Sequence, residues 1–122
     1  YDVIAPGHLV ETRPLPGARR RTRWSEDVAI PTYCMVVGLA RFRVTRAGIV
    51  DGVPLSYWTF PPDAAAAGPV FGRSALMVEY FSRRLGPFPY GKLAQVQSTI
   101  GGARVEEDAR EPAISASPLV PR

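Results

Sequence analysis

Apolar and polar positions change rhythm several times along this chain, and each rhythm predicts an element. Tyr1 to Val10 is a short apolar stretch broken at Pro6-Gly7, which reads as strand, turn and strand. Leu9-Val10-Glu11-Thr12 begins one arm of a hairpin, Pro14-Leu15-Pro16-Gly17 supplies its turn, and Arg20-Arg21-Thr22-Arg23-Trp24 returns with Arg and Thr toward solvent. Tyr33 to Ala40 is a near-continuous apolar run, the pattern of a strand buried on both faces. Arg41 to Arg46 alternates strictly, as a half-exposed strand does, and turns at Asp51-Gly52 into a second arm over Val53 to Phe60. Pro54 pushes the start of that arm toward a sheet edge.

The period then changes from two to three and four. Asp63 is a candidate N-cap, and Ala64 to Ala67 favour helix. Phe71, Ala75, Val78, Ser82 and Leu85 recur at helical spacing. Arg83-Arg84 complement the dipole at the end of the helix and Gly86 suits the position just past it. Pro87 to Gly91 is an aromatic turn, and Lys92 to Thr99 alternates again as a strand. These elements predict an α+β fold: a small mixed or antiparallel β-sheet of about four to six strands, with one long α-helix over 63–85 packed on one face. From Ala103 to Arg122 there is no aromatic residue, a charged cluster and three prolines, the composition of a loosely packed tail. Its last four residues, Leu119-Val120-Pro121-Arg122, match what a thrombin-type cleavage tag leaves behind.

Composition narrows the chemistry. The chain has 122 residues, the length of one small domain, and its thirteen prolines and eleven glycines argue against a helical bundle or coiled coil. There is one histidine, His8, and one cysteine, Cys34. An internal disulfide, a Cys-x-x-Cys pair and a Cys/His zinc site within the chain are therefore excluded. No apolar stretch approaches the ~20 residues that span a bilayer, so no membrane partner is expected. The formal charge is +4, and five of the arginines fall between Arg13 and Arg23. Such a run attracts phosphate, but its ordinary reading is a solvated hairpin, so nucleic acid is not the expected partner. Cys34 reads first as a small core hydrophobe, and His8 as an exposed turn residue. Glu106, Glu107, Asp108 and Glu111 offer carboxylates but read as a solvated charged segment.

Several segments, in this order, resemble the zinc-dependent aminopeptidases related to aminopeptidase N and leukotriene hydrolase, the gluzincins. Ile30-Pro31-Thr32-Tyr33 followed by Val36-Val37-Gly38 looks like the strand that closes their N-terminal β domain. Phe42 to Phe60 is similar to the first hairpin of their thermolysin-like domain. Tyr80-Phe81-Ser82-Arg83-Arg84-Leu85-Gly86-Pro87-Phe88-Pro89-Tyr90-Gly91-Lys92-Leu93 is the most specific match. In the family a helix ends in an aromatic Pro-Tyr turn, and a strand with a Lys near its start follows. The resemblance covers residues 1–102. It implies that residues 1–40 end a β-rich N-terminal domain, that 41–102 begin a metallopeptidase-like domain, and that 103–122 are a tail foreign to the family.

The resemblance fails where the chemistry should start. In the family the strand ending near Gln97-Ser98-Thr99 leads to a G-x-M-E-N loop that binds the substrate's free amine. Gly101-Gly102 match its opening and are the candidate substrate-binding residues. Ala103 stands where Met belongs and Arg104 where the amine-binding Glu belongs, and an arginine there would repel an ammonium group. Glu106 or Glu107 could substitute only through a shift of register. The H-E-x-x-H helix that holds Zn²⁺ and supplies the general base has no counterpart in a chain whose one histidine is His8. The expectation is a truncated aminopeptidase-like piece without zinc and without aminopeptidase activity, which self-associates as a homodimer or higher oligomer. Two alternatives stand beside it. One is a small hydrolase whose pocket forms at an oligomer interface, with Glu106, Glu107, His8 and Cys34 as candidate catalytic groups. The other is an anion-binding module built on Arg13–Arg23.

Overall fold

A computed structural model describes residues 1–99. Seven strands form three small sheets, and helices lie against one face of the largest, so the α+β class is as the sequence predicts. The three-stranded sheet has the order β5-β6-β7, with β5 (Arg43–Val50) and β6 (Val53–Thr59) antiparallel and β7 (Leu93–Val96) parallel to β6. A parallel return needs a crossover, and the helical segment between β6 and β7 supplies it. The turn at Asp51-Gly52 lies where its sequence predicts, with both residues at positive φ (49° and 82°). That conformation favours glycine and tolerates aspartate.

Strand β6 makes the core. Val53, Leu55, Tyr57 and Thr59 are buried, all on one face, as alternation requires. Tyr57 packs its ring on Phe71 at 5.4 Å between centroids. Behind them sit Ala67 from α1 (Ala67–Phe71) and Ser74 and Val78 from α2 (Ser74–Leu85). Pro54 fits because β7 pairs with β6 only from Leu55 onward, so at Pro54 that flank of β6 has no ladder to break.

The crossover corrects the expected single helix. Residues 61–66 form a 3₁₀ turn, α1 follows, and a break at Gly72-Arg73 precedes α2. Asp63 is not an N-cap: it lies inside the 3₁₀ turn and accepts a hydrogen bond from Gln97 Nε2 at 2.6 Å. Two prolines at the start and Gly68-Pro69 within cap the available hydrogen bonds, and the chain restarts rather than bends. At the far end Gly86 takes φ 100° and donates its N–H to Ser82, the predicted helix stop. Only part of the expected apolar stripe is covered. Val78 is buried, whereas Leu85 is exposed, as are Leu76, Met77, Tyr80 and Phe81.

The first forty residues form the two smaller sheets. β1 (Asp2–Ile4) pairs with β4 (Gly38–Ala40), and β2 (His8–Leu15) pairs with β3 (Arg19–Ser25) in the predicted hairpin, turned by Pro16-Gly17-Ala18. The apolar run from Tyr33 is the second correction. It is a 3₁₀ turn over Thr32–Cys34, then irregular chain, with a strand only at Gly38–Ala40. Tyr33, Met35, Val36 and Val37 are exposed, and Cys34 is an exposed thiol, not a core residue. The reason is partner length: β1 offers three residues, so it can pair three, and the rest of the run has no strand to join. At Gly7, φ is +73° and a Cβ would lie 1.8 Å from the Ser25 carbonyl oxygen, so the turn between β1 and β2 requires glycine.

Candidate functional site

An apolar cavity of about 740 Å³ opens on the sheet face opposite the helices. One wall is β7 with Ser98 and Thr99 beyond it, together with Phe42 and Phe60. Phe42 stacks on Phe60 at 5.9 Å and meets Trp58 edge-on at 5.8 Å, which fixes that wall by aromatic packing. The other wall is the Val36–Ala40 segment with Ile4. Glu26, Cys34, Tyr90 and Lys92 bring polar groups to the lining.

Lys92 is the charge at the centre of this arrangement. It stands one residue before β7, donates to the Ala5 carbonyl at 2.7 Å and to the Gly7 carbonyl, and lies over the Trp24 ring at 4.8 Å. Burial pulls its pKa below the ordinary lysine value, and the nearby Glu26 carboxylate partly offsets this. The ammonium ties the turn before β2 to the start of β7 and faces the cavity as a donor-rich cation. Asp2 closes the same seam from the other side by accepting the Phe42 N–H at 3.1 Å. A lysine at the head of a strand ordinarily points to water, so the role of Lys92 as a tie is not legible in the local pattern.

Of the predicted catalytic candidates, only His8 and Cys34 lie within the described residues, and they do not meet. His8 Nδ1 faces the Asp27 carboxylate at 3.5 Å, with both side chains exposed. Cys34 lies in the cavity wall, and His8 does not line that cavity. No hydrogen bond or ion pair joins His8 to Cys34, so within one copy these two do not form a nucleophile–base couple. Glu106 and Glu107, and the candidate amine-binding pair Gly101 and Gly102, lie outside the described residues. Ser98 and Thr99, just beyond β7, line the cavity.

On the opposite sheet face a second polar cluster holds the helices. Gln95 Nε2 donates to Ser74 Oγ at 2.6 Å, Ser74 Oγ donates to the Phe71 carbonyl at 2.7 Å, and Gln97 accepts the Phe60 N–H at 2.7 Å. These bonds account for Gln95 of β7 and Gln97 just beyond it as fasteners and not as reactive groups. Among the described residues no group of three or more His, Cys, Asp or Glu could hold a metal ion, and no helix is long and apolar enough to cross a membrane. No protein-family model matches this chain, and no curated protein is similar to it.

Proposed function

We propose that this chain is a non-catalytic piece of a zinc aminopeptidase-like protein, carrying scaffold and the wall of a substrate cavity but no zinc site. The observation that carries the reading is the order of elements after residue 42. A hairpin (β5–β6), a helix ending in Arg83-Arg84-Leu85-Gly86, an aromatic Pro-Tyr turn and a strand with Lys92 at its start follow one another as the resemblance implies. The strand returns parallel to β6, and Ser98 and Thr99 beyond it line the apolar cavity; a strand followed by the amine-binding loop is what the resemblance implies here, which supports the reading. Arg104 in place of the amine-binding Glu and the lack of H-E-x-x-H remove both halves of the chemistry.

The same reading carries self-association. Leu76, Met77, Tyr80, Phe81 and Leu85 are exposed on α2, and among the described residues β7 has a ladder on one side only. Such surfaces bind other copies when nothing else covers them. The test is zinc content after incubation with equimolar Zn²⁺, together with hydrolysis of an aminoacyl anilide with and without chelator. Neither stoichiometric zinc nor chelator-sensitive turnover is expected, and either one overturns the non-catalytic reading.

A further inference from the structure

The register of the β2–β3 hairpin sorts its arginines. Glu11 lies opposite Arg23, Arg13 opposite Arg21, and Leu15 opposite Arg19, so these six share one face. Thr12 and Thr22, Pro14 and Arg20, and Leu9 and Trp24 form the other face. That second face meets the rest of the molecule at two points, where Arg20 donates to the Tyr1 carbonyl and Trp24 lies under Lys92, while Leu9, Thr12 and Pro14 stay exposed. The first face therefore points outward, and Arg13, Arg19, Arg21 and Arg23 on it are all exposed.

Glu11 sits across from Arg23 on this face, but among the described residues none of the four arginines is in an ion pair. Among the described residues the ion pairs are His8–Asp27 and Glu79–Arg83, and Arg19 bonds only to the Pro16 carbonyl in its own turn. Arg13 and Arg21 face each other directly, an arrangement that costs stability unless an anion joins them. Arg19, Arg21 and Arg23 repeat every second residue, about 7 Å apart along one strand. We infer that this face is a docking surface for the phosphodiester backbone of double-stranded nucleic acid. Guanidinium forks hold phosphate oxygens in pairs, and a two-stranded ribbon fits the width of a duplex major groove. The face has no aromatic residue on which an unpaired base could stack, which favours duplex over single strand. Leu15 is its one large apolar side chain, too little to anchor in a lipid interface.

The inference is independent of the aminopeptidase reading, since the hairpin lines no part of the cavity apart from the turns at its base. The experiment is fluorescence anisotropy of a labelled 20-base-pair DNA duplex titrated with the full chain across a salt series. Four phosphate contacts give a slope of log K against log salt of about −3 to −4. Replacing Arg13, Arg19, Arg21 and Arg23 with Gln is expected to weaken binding about tenfold or more at low salt. A control with Arg43, Arg46, Arg83 and Arg84 replaced by Gln loses the same charge elsewhere and is expected to keep its affinity within about twofold. R21Q alone is expected to reduce the slope by about one, a measurement that stands even if the fourfold variant is unfolded by circular dichroism. Equal losses in the hairpin variant and the control, a flat salt response, or equal binding to phosphatidylserine vesicles or polyglutamate would each overturn the assignment.

Discussion

Strands β3 and β6 have the same length and each is one arm of an antiparallel hairpin, yet they do opposite work. β6 hides every second residue, Val53, Leu55, Tyr57 and Thr59, while β3 hides none and exposes four of its seven. The ladder on the hairpin side is similar in both. What differs is the rest of the surroundings: β6 gains β7 on its second edge and helices on one face, and β3 gains only the glancing contacts of Arg20 and Trp24. Pairing two strands satisfies backbone hydrogen bonds, but a third layer is what removes side chains from water. The β6 region is therefore the part of the chain that holds the fold, and the β2–β3 hairpin is surface built on it.

The strongest way to break that comparison is to truncate matched inward residues on the two strands. Tyr57 is 5% exposed and stacked on Phe71, so Tyr57→Ala is expected to cost about 3–5 kcal/mol in urea unfolding. Thr22 sits opposite Thr12 on the inward face of the hairpin, and Thr22→Ala is expected to cost less than about 1 kcal/mol. Similar losses at the two positions would mean that the hairpin carries a share of the core that its exposure does not reveal.

Between the two regions lies Lys92, and its removal tests how they are joined. Lys92→Met keeps an unbranched apolar stem but removes the ammonium from over the Trp24 ring and strips the donors from the Ala5 and Gly7 carbonyls. The expected cost is about 1–2 kcal/mol, measured by urea unfolding near neutral pH. The pH response gives the sign of the burial term. Because the folded chain holds this proton less tightly than the unfolded chain, the unfolded state binds more protons between the lowered value and the ordinary 10.5. Stability attributable to Lys92 therefore rises with pH across that window. The gap between the natural chain and Lys92→Met is expected to change in that direction there. A gap that shrinks as pH rises would mean that the ammonium is stabilised and not penalised by its site.

The same contrast explains how much could be read from the sequence. The β5–β6 hairpin, the Asp51-Gly52 turn, the helix stop at Gly86 and the β2–β3 hairpin are all set by local chemistry, by alternation or by residues that accept positive φ, and all lie where the sequence puts them. The Tyr33–Ala40 run was misleading because an apolar run says only that a segment is apolar. Whether it is buried depends on partners, and β1 supplies three residues. The helix over 63–85 was legible as helical material, but Gly72 and the prolines decide its continuity. The cavity is not legible at all, since it sets residues 36–40 against β7, more than fifty positions on, and Lys92 joins it through backbone carbonyls that carry no sequence signature.

The smallest expected effect sharpens the comparison at its edge, on the outer surface of α2. Glu79 and Arg83 form an i,i+4 ion pair with the acid nearer the helix start, the favourable order for the dipole, but Arg83 is 74% exposed. Water screens the attraction and two flexible side chains must be ordered to make it. Glu79→Gln is therefore expected to cost about 0.3–0.5 kcal/mol in urea unfolding at low salt, and less in high salt, where the Debye length falls to about 3 Å at 1 M. Val78, the neighbour in sequence, is 6% exposed against the sheet. If α2 is held by that packed side, losing the surface pair leaves its docking unchanged. A loss above about 1 kcal/mol would instead show that the exposed face of α2 contributes to the fold, and the division between a holding region and a surface region would have to move outward to include it.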